Sequence, residues 1–330
     1  MTDGVAASEE SWSRYWAAGH LHSCPTSFDG FYGAAVQAFW REHCRRLGDD
    51  DVVLDLGCGN GGLLEFMRAC LAGGGQMPRL YGVDAAALRP PAPGADGEAD
   101  RPILHERTRF DRLPFETAAV SFAVSQFGFE YGAGPAAWAE LFRVLRGQAS
   151  VAFVVHKRGS LLDTVAADES TIASVALSPD GVVQVASALA PYLKQASTPA
   201  GREAVAADPA ARRTRERYNA TVDVLVNLSR LVNHGQYARD ILGALAEVLS
   251  ALPDLPLDQA QTRIDHLRQG LSDHLARISE LRRRALDASQ AQVWRDRLAQ
   301  QGFTVPDIRV LVEGDREMGW ILEGRRDASR

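Results

Sequence analysis

Cysteine is scarce in this chain of 330 residues, with four in all: Cys24, Cys44, Cys58 and Cys70. None stands in C-x-x-C spacing or in a Cys/His constellation typical of zinc, so no structural metal is expected and the four read as free thiols in a reducing compartment. No apolar run approaches the length of a membrane span. The start, Met1-Thr2-Asp3-Gly4-Val5, continues acidic and lacks the cationic beginning and apolar core of a signal peptide, so a cytoplasmic protein is expected. An excess of positive charge is also missing. The formal net charge is −6, which argues against a general nucleic-acid binder, since that function needs cationic side chains to neutralise phosphates. What remains is ordinary globular material, 46% hydrophobic and 24% charged, in a chain long enough for a large domain or a core with an added subdomain.

Glycine is concentrated where it matters. Val52-Val53-Leu54-Asp55-Leu56 is an apolar, β-branched run suited to a strand buried on both faces. It stops in Gly57-Cys58-Gly59-Asn60-Gly61-Gly62, and Leu63-Leu64-Glu65-Phe66-Met67 then resumes apolar residues at helical spacing. The pattern is strand, turn, helix, with the first amides of the helix facing whatever sits on the loop. Gly57, Gly59 and Gly62 also fit the G-x-G-x-x-G dinucleotide fingerprint. Asp55 favours a different ligand, because a carboxylate two residues before the first glycine suits a cation better than a pyrophosphate.

Asp55-Leu56-Gly57-Cys58-Gly59-Asn60-Gly61 resembles the first motif of class I S-adenosylmethionine-dependent methyltransferases, an acidic residue, any residue, then G-x-G-x-G. The resemblance implies that Asp55, Gly57, Cys58, Gly59, Asn60 and Gly61 cradle the methionine part of S-adenosyl-L-methionine. A second strand, Arg79 to Val83, ends in Asp84 and Ala85. An acid at that strand tip is placed to accept hydrogen bonds from the ribose hydroxyls of an adenosine cofactor. Ile103 to Arg107 reads as a third strand. Phe110-Asp111-Arg112-Leu113-Pro114-Phe115 looks like the Leu-Pro-Phe loop that lies near the adenine in many small-molecule methyltransferases, with Arg109 where an aspartate is common. Ala118 to Phe127 reads as a fourth strand whose polar end, Ser125-Gln126-Phe127, opens onto the cofactor. Ser-Gln-Phe-Gly also resembles the ubiquinone and menaquinone methyltransferase-like branch (methyltransferase type 11/25-like).

Ala136 to Arg146 is expected to be an amphipathic helix and Ser150 to His156 a fifth strand. After Lys157 the sequence turns helical. A seven-residue repeat places Ile264, Leu271, Ile278 and Ala285 in one register and Leu267, His274, Leu281 and Ala288 in the other, a seam to be covered within the insert or by a second subunit, as in a homodimer. Val222, Leu225, Leu228, Leu231 and Val232 give another apolar stripe. Thr304 to Glu313 and Met318 to Glu323 read as a hairpin. The fold class expected is α/β, a Rossmann-like, mostly parallel seven-stranded sheet of order 3-2-1-4-5-7-6, as the resemblance implies. Its parts are an N-terminal helical lid at 1–48, a core at 49–160 and 290–330, and a helical insertion at 161–289 acting as cap or dimerisation subdomain.

The function so implied is transfer of a methyl group to an O, N or C nucleophile of a small-molecule acceptor. His156, Glu130 and Tyr131 are the candidate catalytic groups at the carboxyl edge of the sheet, joined by His20 and His22 if the lid closes. Three other readings stay open: a catalytically silent S-adenosylmethionine-binding partner, a helical interaction protein, and a nicotinamide-dependent oxidoreductase, which leaves Asp55 and the terminal hairpin unexplained.

Overall fold

The computed structural model describes residues 2–23, 32–72, 77–90 and 100–327. Cys24 to Phe31, the break at Gly73-Gly74-Gly75 and most of the proline-rich excursion at 89–100 lie outside the described residues. Contacts divide the chain into two units, Met1–Asp163 with Arg283–Arg330, and Thr164–Arg282.

The first unit opens with helices α1 (Thr2–Ala17) and α2 (Ala34–Cys44), followed by strand β1 (Val52–Leu56) and helix α3 (Gly62–Leu71). Strands β2 (Arg79–Val83), β3 (Ile103–His105) and β4 (Val120–Gln126) follow. A one-turn 3-10 helix, Phe129–Tyr131, leads to α4 (Pro135–Val144) and β5 (Leu145–His156). All five residues of β1 are buried, and alternation along it feeds two cores. Leu54 and Leu56 join Trp138, Leu141, Phe153 and Trp294 on one face, while Val53 joins Trp40, Leu64, Met67 and Val124 on the other. Each such side chain contributes about 1.5–3 kcal/mol by leaving water.

The second unit consists of helices. Helix α5 (Leu161–Ala176) enters it, and α6 (Val182–Gln195), α7 (Pro199–Ala207), α8 (Pro209–Leu231) and α9 (Gln236–Ser250) follow. The long α10 (Leu257–Arg284) leaves it. Ile264 and Leu271 are covered by the unit's own core, which includes Ile172, Val183, Leu225, Ile241 and Leu245. Leu231, expected on an apolar stripe, is 82% exposed at the end of α8.

The chain then returns to the first unit through α11 (Ala288–Gln300), β6 (Arg309–Glu313) and β7 (Arg316–Arg326). The sheet order is β3-β2-β1-β4-β5-β7-β6, with β1 to β5 parallel and β7 antiparallel to both β5 and β6. The Rossmann-like sheet and the helical insertion after its fifth strand are therefore as the sequence implied.

Several boundaries differ from the expected ones. The seven-residue seam does not run through Ala285 and Ala288, because α10 ends at Arg284. Leu286 instead pairs with Lys157 beyond β5, and Asp287 restarts a helix with a capping box that engages Gln290. Strand β4 begins at Val120 because Ala118 has φ 58, outside the extended region. Strand β3 is shorter than expected, ending at His105, and Arg107 has φ 51. Helix α4 ends at Val144, and β5 starts at Leu145 opposite Val120, five residues earlier than expected. Strand β6 starts at Arg309, after Pro306, which has no N–H to give a ladder.

Candidate functional site

The strand order reverses direction between β1 and β4, and open α/β sheets bind ligands beyond the carboxyl ends of their strands at such a point. Two glycines allow the loops after β1 and β4 to touch there. Gly57 has φ 82, and a Cβ on it would lie 2.7 Å from Gly128 Cα. Two residues on, Gly59 has φ 50, and a Cβ there would lie 2.5 Å from the Trp16 ring. The glycine loop is thus pressed between the β4 loop below and helix α1 above.

Two carboxylates stand beside it. Asp55 is 2% exposed and its Oδ1 has no hydrogen-bond partner. Burial, reinforced by the neighbouring Asp84, holds its pKa well above the usual carboxylate range. Asp84 accepts hydrogen bonds from Gly59 N and Ala86 N, both at 2.9 Å. Burial raises its pKa too, against the lowering effect of those two amides. Two crowded, poorly solvated carboxylates disfavour a further anion and favour a cation. Cys58, between them in sequence, is buried, and its thiol is held far up by burial and then by the two aspartates, so it is an inert packing group.

Other expected cofactor residues have structural commitments. Asn60 Nδ2 donates to Trp16 O and His20 O, each at 2.9 Å, while its Oδ1 accepts from Arg89 N at 2.8 Å. It ties the loop to the end of α1 and to the segment after β2. Ser125 Oγ donates to Leu56 O at 2.6 Å and accepts from Phe129 N at 2.8 Å, joining β1 to the 3-10 helix. Gln126 Oε1 accepts from Trp40 Nε1 at 2.5 Å, leaving a buried Nε2 without a partner. Phe127, at φ 55, lays its ring 4.5 Å from that of His156. Ala85 follows Asp84 in the turn after β2. Phe110 packs on Phe129 at 5.5 Å, whereas Asp111 is exposed and ion-pairs with Arg109.

The three candidate catalytic residues come together. His156 closes β5 fully buried, and its Nδ1 lies 2.6 Å from Glu130 Oε1. The same oxygen accepts from the His156 backbone N at 2.9 Å. His156 Nε2 and Glu130 Oε2 are buried without partners. Tyr131 sits edge-on to the imidazole at 5.9 Å, and Trp12 of α1 sits edge-on to Tyr131 at 5.7 Å. A histidine whose Nδ1–H is engaged by a carboxylate presents Nε2 as a proton acceptor. His20 stacks on Tyr15, while the His22 ring lies tilted against Tyr32 at 4.7 Å.

The role of α1 was poorly marked in the sequence beyond its aromatic density. Tyr15, Trp16 and Ala86 form a buried cluster with Trp12 and Leu88 at its edge, and Ala87 N donates to Ser13 Oγ at 2.9 Å. Apart from these aromatics, the only advance signal was an asparagine inside the glycine loop, where a side-chain amide can bridge backbone carbonyls.

The strand order defines a Rossmann-like core, the arrangement that the sequence resemblance implied. No family model matches the chain, and no curated protein matches it. Solved structures do resemble it. A Burkholderia thailandensis 1,6-didemethyltoxoflavin-N1-methyltransferase is 12% identical over 98% of this chain and 89% of that one, with a TM-score of 0.45. The methyltransferase bound to the Haloferax volcanii Trm112 activator is 24% identical over 44% of this chain and 60% of that one, at a TM-score of 0.32. Geranyl diphosphate C-methyltransferase of Streptomyces coelicolor A3(2) is 20% identical over 45% and 64%, also at 0.32. The chain thus spans less than two thirds of the latter two.

Proposed function

We propose that this protein is an S-adenosylmethionine-dependent methyltransferase acting on a small-molecule acceptor. The observation that carries the reading is the buried Asp55, with an unpartnered oxygen beside Asp84, under an acid-x-Gly-x-Gly-x-Gly loop at the switch point of the sheet. Such a pair suits a ligand bearing an ammonium and a sulfonium, and it repels a dinucleotide pyrophosphate.

When bound, the cofactor supplies a sulfonium-activated methyl group as the electrophile. The chain's own residues hold and orient. Asp55 and Asp84 provide the anionic wall, Gly57 and Gly59 let the main chain approach closely, and the β4 loop through Phe127 fixes one side of the pocket. Helix α1 serves as the lid that keeps water from the loop, with Trp16 on Gly59 and Trp12 on Tyr131. His156 Nε2 takes a proton from the acceptor, and Glu130 keeps the ring in the tautomer that leaves this nitrogen free. Tyr131 orients the acceptor at the mouth of that pocket.

Mass spectrometry of small molecules released from natively purified protein tests the reading. S-adenosylmethionine or its demethylated product is the expected ligand; a stoichiometric nicotinamide dinucleotide would overturn it.

A further inference from the structure

Two cysteines outside the glycine loop lie at the C-terminal ends of two helices, α2 and α3, that share one hydrophobic cluster. Cys44 is the last residue of α2, and Cys70 is the last but one of α3. Both belong to one hydrophobic cluster, Cys44 within its core at 3% exposure and Cys70 at its edge, half-buried. Both also line an open cleft of about 480 Å³ with Arg41, Arg45, Leu47 and Leu71. Burial pushes the Cys44 thiol up to about 12, and Cys70 adds to this as Coulombic neighbour and hydrogen-bond partner. Nothing in the proposed methyl-transfer chemistry uses either residue.

We infer that Cys44 and Cys70 form a dithiol modification site that reacts with small-molecule disulfides and closes to an intramolecular bridge between α2 and α3. The asymmetry of the pair sets the order of events. Cys70, the accessible partner, loses its proton to solvent and attacks one sulfur of the reagent, forming a mixed disulfide and releasing one thiolate, which is protonated by water. Cys44 then loses its proton, attacks Cys70 Sγ and expels the second reagent thiol. Two protein thiols are oxidised to one disulfide, and one reagent disulfide is reduced to two thiols. Arg41 and Arg45 line the same cleft and favour an anionic reagent. The bridge would tie α3, whose first turn follows the glycine loop, to α2.

Incubating the full chain with oxidised glutathione, then counting thiols and mapping non-reduced peptides by mass spectrometry, tests the inference. Wild type should lose the Cys44 and Cys70 thiols, yield the Cys44–Cys70 cross-linked peptide, and recover both thiols with dithiothreitol. Cys44→Ser should retain glutathione on Cys70, and Cys70→Ser should leave Cys44 unreacted. A wild-type protein that keeps a stable glutathione adduct on Cys70 without bridging would overturn the proposal. So would a bridge that involves Cys58 or Cys24, or no loss of thiols at all.

Discussion

His156 and Glu130 are separated along the chain, yet they share a hydrogen bond of 2.6 Å in a site with no exposure to water. If the imidazole accepts the acceptor's proton, His156→Asn keeps much of the shape but removes the base. Turnover should then fall by roughly 10²–10⁴-fold, while cofactor binding stays unchanged. Glu130→Gln, whose amide oxygen can still hold the ring through Nδ1, should give a smaller loss. Steady-state kinetics across pH with the identified acceptor distinguishes these outcomes from simple misfolding, which would also abolish cofactor binding. Asp55 makes a separate prediction. Its folded-state pKa is raised above its unfolded value near 3.8, so its favourable contribution is fully present below that pH and is lost as pH rises toward the folded pKa. In ligand-free protein, Asp55→Asn should therefore gain thermal stability relative to wild type progressively above pH 3.8. Thermal midpoints measured in parallel across pH check this; a constant difference would remove Asp55 as the titrating group.

At the scale of elements, the strand–loop–helix unit of β1, glycine loop and α3 was legible because local composition decides it: β-branched residues, then glycines, then helical periodicity. The strand order followed from the resemblance. The end of α10 was not legible, because a heptad pattern reads straight through Ala285 while the fold uses Leu286 to pair beyond β5 and Asp287 to cap a new helix. Nor was the early start of β5, which depends on Val120 as a partner across the sheet. The site was legible as residue types and not as contacts. Asp55 and Asp84 stood out by position, whereas the hydrogen bonds of Asn60 and Ser125 depend on α1 and the 3-10 helix arriving from elsewhere. The seating of α1 on the loop makes its own prediction. Gly59→Val forces a β-branched residue into φ 50, at about 1–2 kcal/mol of backbone strain, and drives its side chain into Trp16. Tryptophan emission should shift to the red and cofactor affinity should fall at least tenfold. An unchanged spectrum and affinity would mean that α1 does not depend on this contact.

For the whole molecule, entry to and exit from the helical unit lie side by side in the core, since Arg158 N donates to Leu286 O at 2.9 Å and Leu286 N to His156 O at 2.8 Å. An insertion with adjacent ends leaves the parent sheet intact when removed. A chain in which Thr164–Arg282 is replaced by a short Gly-Ser linker should fold cooperatively, bind the cofactor within a few-fold of wild type and lose turnover, as read by calorimetry and methyl-transfer assay. Failure of that chain to fold would make the helical unit part of the main core. That Asp55, Asp84 and the glycine loop hold S-adenosylmethionine is tested most directly by isothermal titration of ligand-free protein with S-adenosylmethionine, S-adenosylhomocysteine and oxidised nicotinamide dinucleotide. Saturable binding of the first two at one site per chain is predicted, weakened by roughly 1.5–3 kcal/mol in Asp84→Ala through the loss of charge-assisted hydrogen bonds, with no binding of the dinucleotide. Tight binding of the dinucleotide, or Asp84→Ala binding S-adenosylmethionine as well as wild type does, would contradict it.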